Sequence, residues 1–159
     1  MVQPATEISI RNAQKTDLPF IHSLSPVLAE RAKLDWHKGE TVQNFQDNYI
    51  VEMMADTTVQ NITLIAEKEG VASGFIHVRE RKDDISGEDS GTVPLLAVTE
   101  KAQGTGAGRL LMEAAESWSK AQGFRLLHLE VFSSNNQAQG FYQNLGFRPE
   151  TMNMIKSLG

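Results

Sequence analysis

Apolar and polar residues recur along this chain with two different periods, and the changes of period mark its elements. "EISIRNA" alternates with period two and predicts a strand. Thr16 or Asp17 then offers a helix cap, Pro19 is tolerated in a first turn, and Leu18, Ile21, His22 and Leu24 supply the helical repeat. Pro26 interrupts or re-caps that helix, and "PVLAERAK" resumes it. "LDWHKG" reads as a loop. The next helix repeats Val42, Phe45, Tyr49 and Met53 on one face. "NITLIAEK" and "VASGFIHVRE" flank Glu69-Gly70, a hairpin signal. "KDDISGEDSG" has no period and reads as a loop. "TVPLLAV" is a further strand, in which Pro94 removes one ladder donor and predicts an edge, a bulge or a local splay.

The clearest helix follows. Ala107, Leu110, Leu111, Ala114, Ala115, Trp118 and Ala121 form a broad apolar stripe, and Gly123 fits its stop. In "RLLHLEVF", Leu127, Leu129 and Val131 face one way, and His128, Glu130 and Phe132 the other. "NNQAQGFYQNLGF" gives a short helix from an Asn cap to Gly146, and "ETMNMIKSL" is expected to close the sheet as a last strand. Hairpins mixed with crossover helices predict an α/β fold with a mixed sheet and helices on both faces.

Composition narrows this picture. With 159 residues, 40% hydrophobic and 22% charged, residues 1–159 suit one globular domain. A net charge of −5 argues against nucleic acid as the main partner and favours cationic ones by steering. There is no cysteine, so disulfides, thiolate nucleophiles and cysteine-based zinc sites are excluded. His22, His37, His77 and His128 lack ligand spacing, and no metal is expected. No apolar run approaches the roughly 18 residues of a membrane span, and "MVQPATEISI" lacks the features of a signal peptide. The expectation is a cytoplasmic protein without a membrane partner.

The chemistry concentrates in "QGTGAGR", Gln103 to Arg109, between a strand and the longest stripe. A dinucleotide fingerprint fails because its third glycine falls on Arg109; a Walker loop fails at the same residue. The physical logic survives both failures. Helix-start N–H groups are unpaired and carry about +0.5 charge, and glycines let an anion approach. The segment therefore suits a phosphate or pyrophosphate held by main chain, with Lys101 and Arg109 as charge partners. A glycine-rich turn with no ligand is the alternative reading of these residues.

A second constellation follows in Asn135, Ala138, Tyr142, Gly146 and Phe147. Together with Val98, Gln103, Gly106 and Gly108 it resembles the two motifs of the GNAT superfamily of acyl-CoA-dependent N-acetyltransferases. The resemblance covers nearly the whole chain, including the hairpin "LIAEKEGVASGFIHV". It implies a mostly antiparallel central sheet of about six to seven strands with a splay after the fourth. It implies acetyl-CoA as cosubstrate, its pyrophosphate on the Gly104–Gly108 amides. The cofactor set it implies is Leu96, Ala97, Val98, Gln103, Gly104, Thr105, Gly106, Ala107, Gly108, Arg109, Asn135 and Tyr142.

By the same resemblance, an N–H near Val98 serves as oxyanion donor and Tyr142 as general acid. Many relatives carry a glutamate on the strand where Pro94 stands, so Glu130, on the following strand, is the candidate base, with His128 on its face. Glu130 also reads as a plain solvated strand residue. Trp36 and His37 fall where relatives line the acceptor site, and Asp83, Asp84, Glu88 and Asp89 offer charge to a cationic amine. Packing residues and a solvated loop are the simpler readings of both groups. The acceptor implied is a primary amine: a small polyamine-like or amino-acid-like molecule, an aminoglycoside-type compound, or a protein N-terminus or lysine. Relatives are often homodimers. A non-catalytic CoA-binding sensor and an unrelated phosphate-binding α/β protein are the rival readings.

Overall fold

The computed structural model describes residues 7–159. Five strands form one sheet in the order β1 (Ile8–Asn12), β2 (Asn61–Lys68), β3 (Val71–Lys82), β4 (Asp89–Val98) and β5 (Leu127–Leu129). The first four pair antiparallel, and β4 pairs with β5 in parallel. Three helices, α1 (Leu18–Ser23), α2 (Ser25–Arg31) and α3 (Gly39–Ala55), precede β2; α4 (Ala107–Ala121) joins β4 to β5, and α5 (Asn136–Asn144) follows.

Strand alternation puts a core on each face. Ile65, Phe75, Leu95 and Ala97 pack under Ile21, Leu24 and Ile50 of α1–α3. Leu64, Ala66, Ile76, Val78 and Val93 pack under Ala107, Leu111, Met112 and Ala115 of α4, with Phe141 and Tyr142 of α5 and the following Leu145 beside them. Glu69 and Gly70, at φ 54° and 74°, make the hairpin turn between β2 and β3, as two-residue turns of the right twist require.

Several expectations change. The sheet has five strands rather than six or seven: residues 150–159 are exposed and form no strand, and the predicted strand over "RLLHLEVF" shortens to Leu127–Leu129. The period-two pattern there is real, but no neighbour offers these residues a ladder. On α3 the buried positions are Val42, Gln46 and Ile50, while Phe45 is 55% exposed and stacks on Tyr49. On α4, Met112 and Ser119 are buried and Ala121 is exposed. The Ser119 hydroxyl solves its own burial by donating to the Ala115 carbonyl at 2.8 Å.

Pro94 behaves as the sequence predicts. His77 pairs with Leu95 but Arg79 pairs with Thr92, so Val93 and Pro94 together oppose Val78 as a bulge. On the other side, β5 pairs only with Gly91, Thr92 and Val93. From Pro94 onward, that edge of β4 is open.

Candidate active site

The open edge has a definite polarity. The Thr99 N–H donates to the Ser73 carbonyl on the β3 side. Main-chain groups alternate sides along a strand, so Leu96 and Val98 direct theirs into the splay and Ala97 directs its own to β3. The three expected strand residues therefore differ: Leu96 and Val98 have main chain to offer a ligand, and Ala97 is a core residue, 2% exposed.

The chain leaves β4 through Thr99, whose hydroxyl accepts from the Ala102 N–H at 3.3 Å, and enters α4 through the glycines. Gly104 and Gly106 sit at φ 77° and 89°, a region in which a side chain is strained. Around both positions nothing stands within 4 Å of where a Cβ would be. The first helical bond of α4 runs from the Leu110 N–H to the Gly106 carbonyl. The amides of Gly104, Gly106, Ala107, Gly108 and Arg109 have no partner among the described residues. Those of Gln103 and Thr105 are committed to Glu100 and Ala102. The result is an exposed, electropositive hollow that fits an anionic group on main chain alone. Arg109 stands 57% exposed, 3.7 Å from Glu113.

The second motif lies against the first. Asn135 caps α5: its side-chain oxygen accepts from the Ala138 N–H at 3.1 Å. Tyr142 is half-buried, edge-on to Phe141 and Phe147 at 5.3 and 5.9 Å. Burial pushes its phenol above the ordinary tyrosine range, and the Arg31 guanidinium pulls it back. The hydroxyl has no hydrogen-bond partner among the described residues. Gln103 and Asn135 line one cleft of about 540 Å³ whose opposite wall is Val27, Glu30, Arg31 and Lys33. Arg31 and Lys33 were missed in the sequence; they belong to no motif, and only the packing of α2 brings them there.

The remaining candidates scatter. Glu130 is exposed immediately after β5, and its charge raises the phenol of Tyr49 on α3, second to burial. It therefore faces the α3 side of the sheet. His128 Nε2 lies 3.1 Å from Asp83 Oδ2, without hydrogen-bond alignment. Asp83 in turn accepts the Ile85 and Ser86 N–H groups, and Glu88 pairs with Arg125. The acidic run is thus used largely to shape its own loop. Trp36 and His37 are exposed, and Met53 and Met54 pack on the core under α3. His77 is 1% exposed; its Nδ1 meets the Thr63 hydroxyl at 2.8 Å and its Nε2 is unpartnered among the described residues. Burial pushes it down to about 4. No cluster able to hold a metal exists among the described residues.

A helix-start hollow of unpaired amides beside the open edge of β4 suits a phosphate-bearing ligand. Comparison with known proteins is specific on the class. The profile of the Acetyltransferase (GNAT) family matches residues 23–147, and the chain belongs to that family. A putative [ribosomal protein bS18]-alanine N-acetyltransferase of Bacillus subtilis is 24% identical over 91% of this chain and 83% of its own length. Aminoglycoside N(6')-acetyltransferase type 1 of Stenotrophomonas maltophilia is 32% identical over 54% of this chain and 58% of its own. A mycothiol acetyltransferase of Jonesia denitrificans is 46% identical, but the match spans 35% of this chain and only 18% of that protein. Among solved structures, a putative acetyl transferase from Pyrococcus furiosus superposes with a TM-score of 0.80 at 18% identity, over 96% of this chain and all of that one. Aminoglycoside N-acetyltransferase AAC(6')-Iy in complex with CoA superposes at 0.69 and 22% identity over the whole of both chains.

Proposed function

We propose that the chain transfers an acetyl group from acetyl-CoA to a primary amine by direct attack of the amine on the thioester. The observation that carries this reading is the juxtaposition of the unpaired α4 amides with the open edge of β4. The amides of Gly104, Gly106, Ala107, Gly108 and Arg109 hold the pyrophosphate, Gln103 and Asn135 flank it, and the Leu96 and Val98 main chain receives the pantetheine arm. The Val98 N–H stabilises the thioester oxygen as it gains charge, a contribution of about 2.7–4 kcal/mol.

A lysine-like amine has a pKa of about 10.4, so its neutral fraction at pH 7 is roughly 10^−3.4, a cost of about 4.6 kcal/mol. A base must take that proton. Glu130 fills this role, directly or through water, since Pro94 stands at the β4 position where relatives carry a glutamate. Tyr142 gives its proton to the departing thiolate; the carbon–sulfur bond breaks as the carbon–nitrogen bond forms. A phenol that burial keeps protonated is suited to donate.

The acceptor follows from charge and from relatives. Burial and the charges of Glu130 and Glu52 push the Tyr49 phenol on α3 up while the Arg79 guanidinium opposes them, and the net charge of −5 favours a cationic amine. Two relatives are named for an aminoglycoside and for a ribosomal-protein alanine, so the acceptor is an amine of a small molecule or of a protein. No helix among the described residues is long and apolar enough to cross a membrane. We place the protein in the cytoplasm, acting as a homodimer without nucleic acid.

The test uses the missing cysteine. Free CoA is followed with a thiol reagent while amines are screened. Release with aminoglycosides, polyamines or peptide N-termini supports the reading. Tight acetyl-CoA binding with no release across the panel makes the protein a coenzyme-binding sensor instead. Glu130→Gln should slow the reaction most at neutral pH; a flat effect across pH removes it as base.

A further inference from the structure

Four charged side chains line the cleft between α2 and the start of α5: Glu30, Arg31, Lys33 and Glu100. Three of them are exposed, where water screens them, and Arg31 alone is partly buried. Arg31 has no carboxylate within ion-pair distance among the described residues. As the last residue of α2 it complements the helix dipole, but an exposed side chain does that as well. A half-buried guanidinium without a counter-charge beside it suits a cleft that receives an anion.

The facing helix shows where that anion arises. Asn135, on the opposite wall, and Tyr142 are seven residues apart, so they lie two turns and about 10 Å from each other on one face of α5. The Tyr142 hydroxyl has no hydrogen bond among the described residues yet keeps contact with solvent. Arg31 is near enough for its charge to act on that phenol. Of the glycine loop only Gln103 borders the cleft, and the α4 amides that suit a pyrophosphate lie outside it. Arg31 therefore stands toward the sulfur end of the site rather than the phosphate end.

We propose that Arg31 is a catalytic residue of the transfer, its guanidinium contacting the coenzyme sulfur and holding the negative charge that the sulfur gains as the thioester breaks. This rests on the acetyl-transfer reading above and adds a second group to Tyr142. The amine nitrogen bonds the carbonyl carbon, the carbon–sulfur electron pair moves onto sulfur, and the Tyr142 proton follows it. The surplus proton on nitrogen returns to the phenolate through water, so the products are an amide and a free thiol. Arg31 gives up no proton, because a guanidinium stays charged in proteins. It acts as a fixed charge beside the thiolate and then the phenolate. A neighbouring cation lowers a thiol's pKa, and a thiol of lower pKa leaves faster.

The experiment titrates bound CoA by the ultraviolet absorption of its thiolate. The chain has no cysteine, so the coenzyme carries the only thiol, and the acetyl-CoA complex gives a baseline in which the tyrosines cancel. In the wild type the bound thiol should titrate below the ordinary thiol value of about 8.5. Arg31→Gln should raise it by about one unit and, at roughly tenfold per unit, lower kcat about tenfold with little change in the KM for acetyl-CoA. Arg31→Lys keeps the charge and should restore part of both. Lys33→Gln, on the exposed rim of the same cleft, should move neither as far. Thermal melts and calorimetry with CoA establish that each variant is folded and loaded. The proposal is overturned by a thiol that titrates alike in wild type and Arg31→Gln, by an equally large shift in Lys33→Gln, or by a rise in KM at constant kcat, which makes Arg31 a phosphate ligand instead. A wild-type protein that binds no CoA overturns the acetyl-transfer reading itself, a result distinct from binding with an unmoved thiol.

Discussion

A Cβ on Gly108 would stand 3.5 Å from the Phe141 ring: the start of α4 rests against α5 at one glycine, one residue before Tyr142. The glycine loop and the phenol are therefore parts of one packed unit, though they lie far apart in the chain.

That contact distinguishes the three glycines. At 3.5 Å an added methyl makes ordinary van der Waals contact, so Gly108→Ala should cost little stability. Gly104→Ala and Gly106→Ala place a side chain at φ 77° and 89° and should each cost about 1–2 kcal/mol. They should also weaken acetyl-CoA binding, read by calorimetry beside thermal melts.

Tyr142→Phe should lower kcat by roughly 10²–10⁴-fold with little change in KM. The Arg31 guanidinium opposes the upward push that burial gives the phenol. Arg31→Gln should therefore move the alkaline limb of the kcat profile to higher pH, because the phenol then keeps its proton longer. A limb that stays in place in Arg31→Gln contradicts the coupling.

Gly74 supports the other side of the splay. A Cβ there would meet Val98 Cγ1 at 2.8 Å and the Ala97 carbonyl oxygen at 3.0 Å. Gly74→Ala should cost about 1–3 kcal/mol of stability and displace the Val98 main chain. A rise in acetyl-CoA KM beyond that of equally destabilised core variants would show it.

Stability should fall on acidification in two successive steps. Arg11 bonds Asp17 through two nitrogens at 2.8 Å each and holds its carboxyl down at about 2, so that pair stabilises the fold above the ordinary carboxylate range and is lost as pH falls toward 2. His77, held neutral by burial down to about 4, favours the fold above pH about 6.5, and this is lost between there and about 4. Asp17→Asn should remove the lower step and His77→Phe the upper one in denaturant titrations across pH.

The legible parts were those governed by local rules. Alternation located β1, the Glu69-Gly70 turn located β2 and β3, and "TVPLLAV" located β4 apart from Asp89 to Gly91, which read as loop; Pro94 announced the bulge and the glycines announced unpaired helix-start amides, because backbone geometry is a property of neighbouring residues. The faces of α3 and α4 were legible in outline, with Val42, Ala107, Leu111 and Ala115 buried and Tyr49, Met53, Ala114 and Trp118 packed on the core, while the burial of Gln46, Met112 and Ser119 and the exposure of Phe45 and Ala121 were not. Arg31 was not legible: an arginine at a helix end has no signature until α2 is packed across from Asn135.

Residue order alone thus determined which segments pair or coil and where bare amides occur, as these depend on dihedral preference and spacing. Tertiary structure decided which edge opens, which of Leu96, Ala97 and Val98 presents main chain to it, and which cation reaches Tyr142. Those outcomes depend on register and on the through-space fall-off of charge and dispersion, which sum over residues distant in the chain.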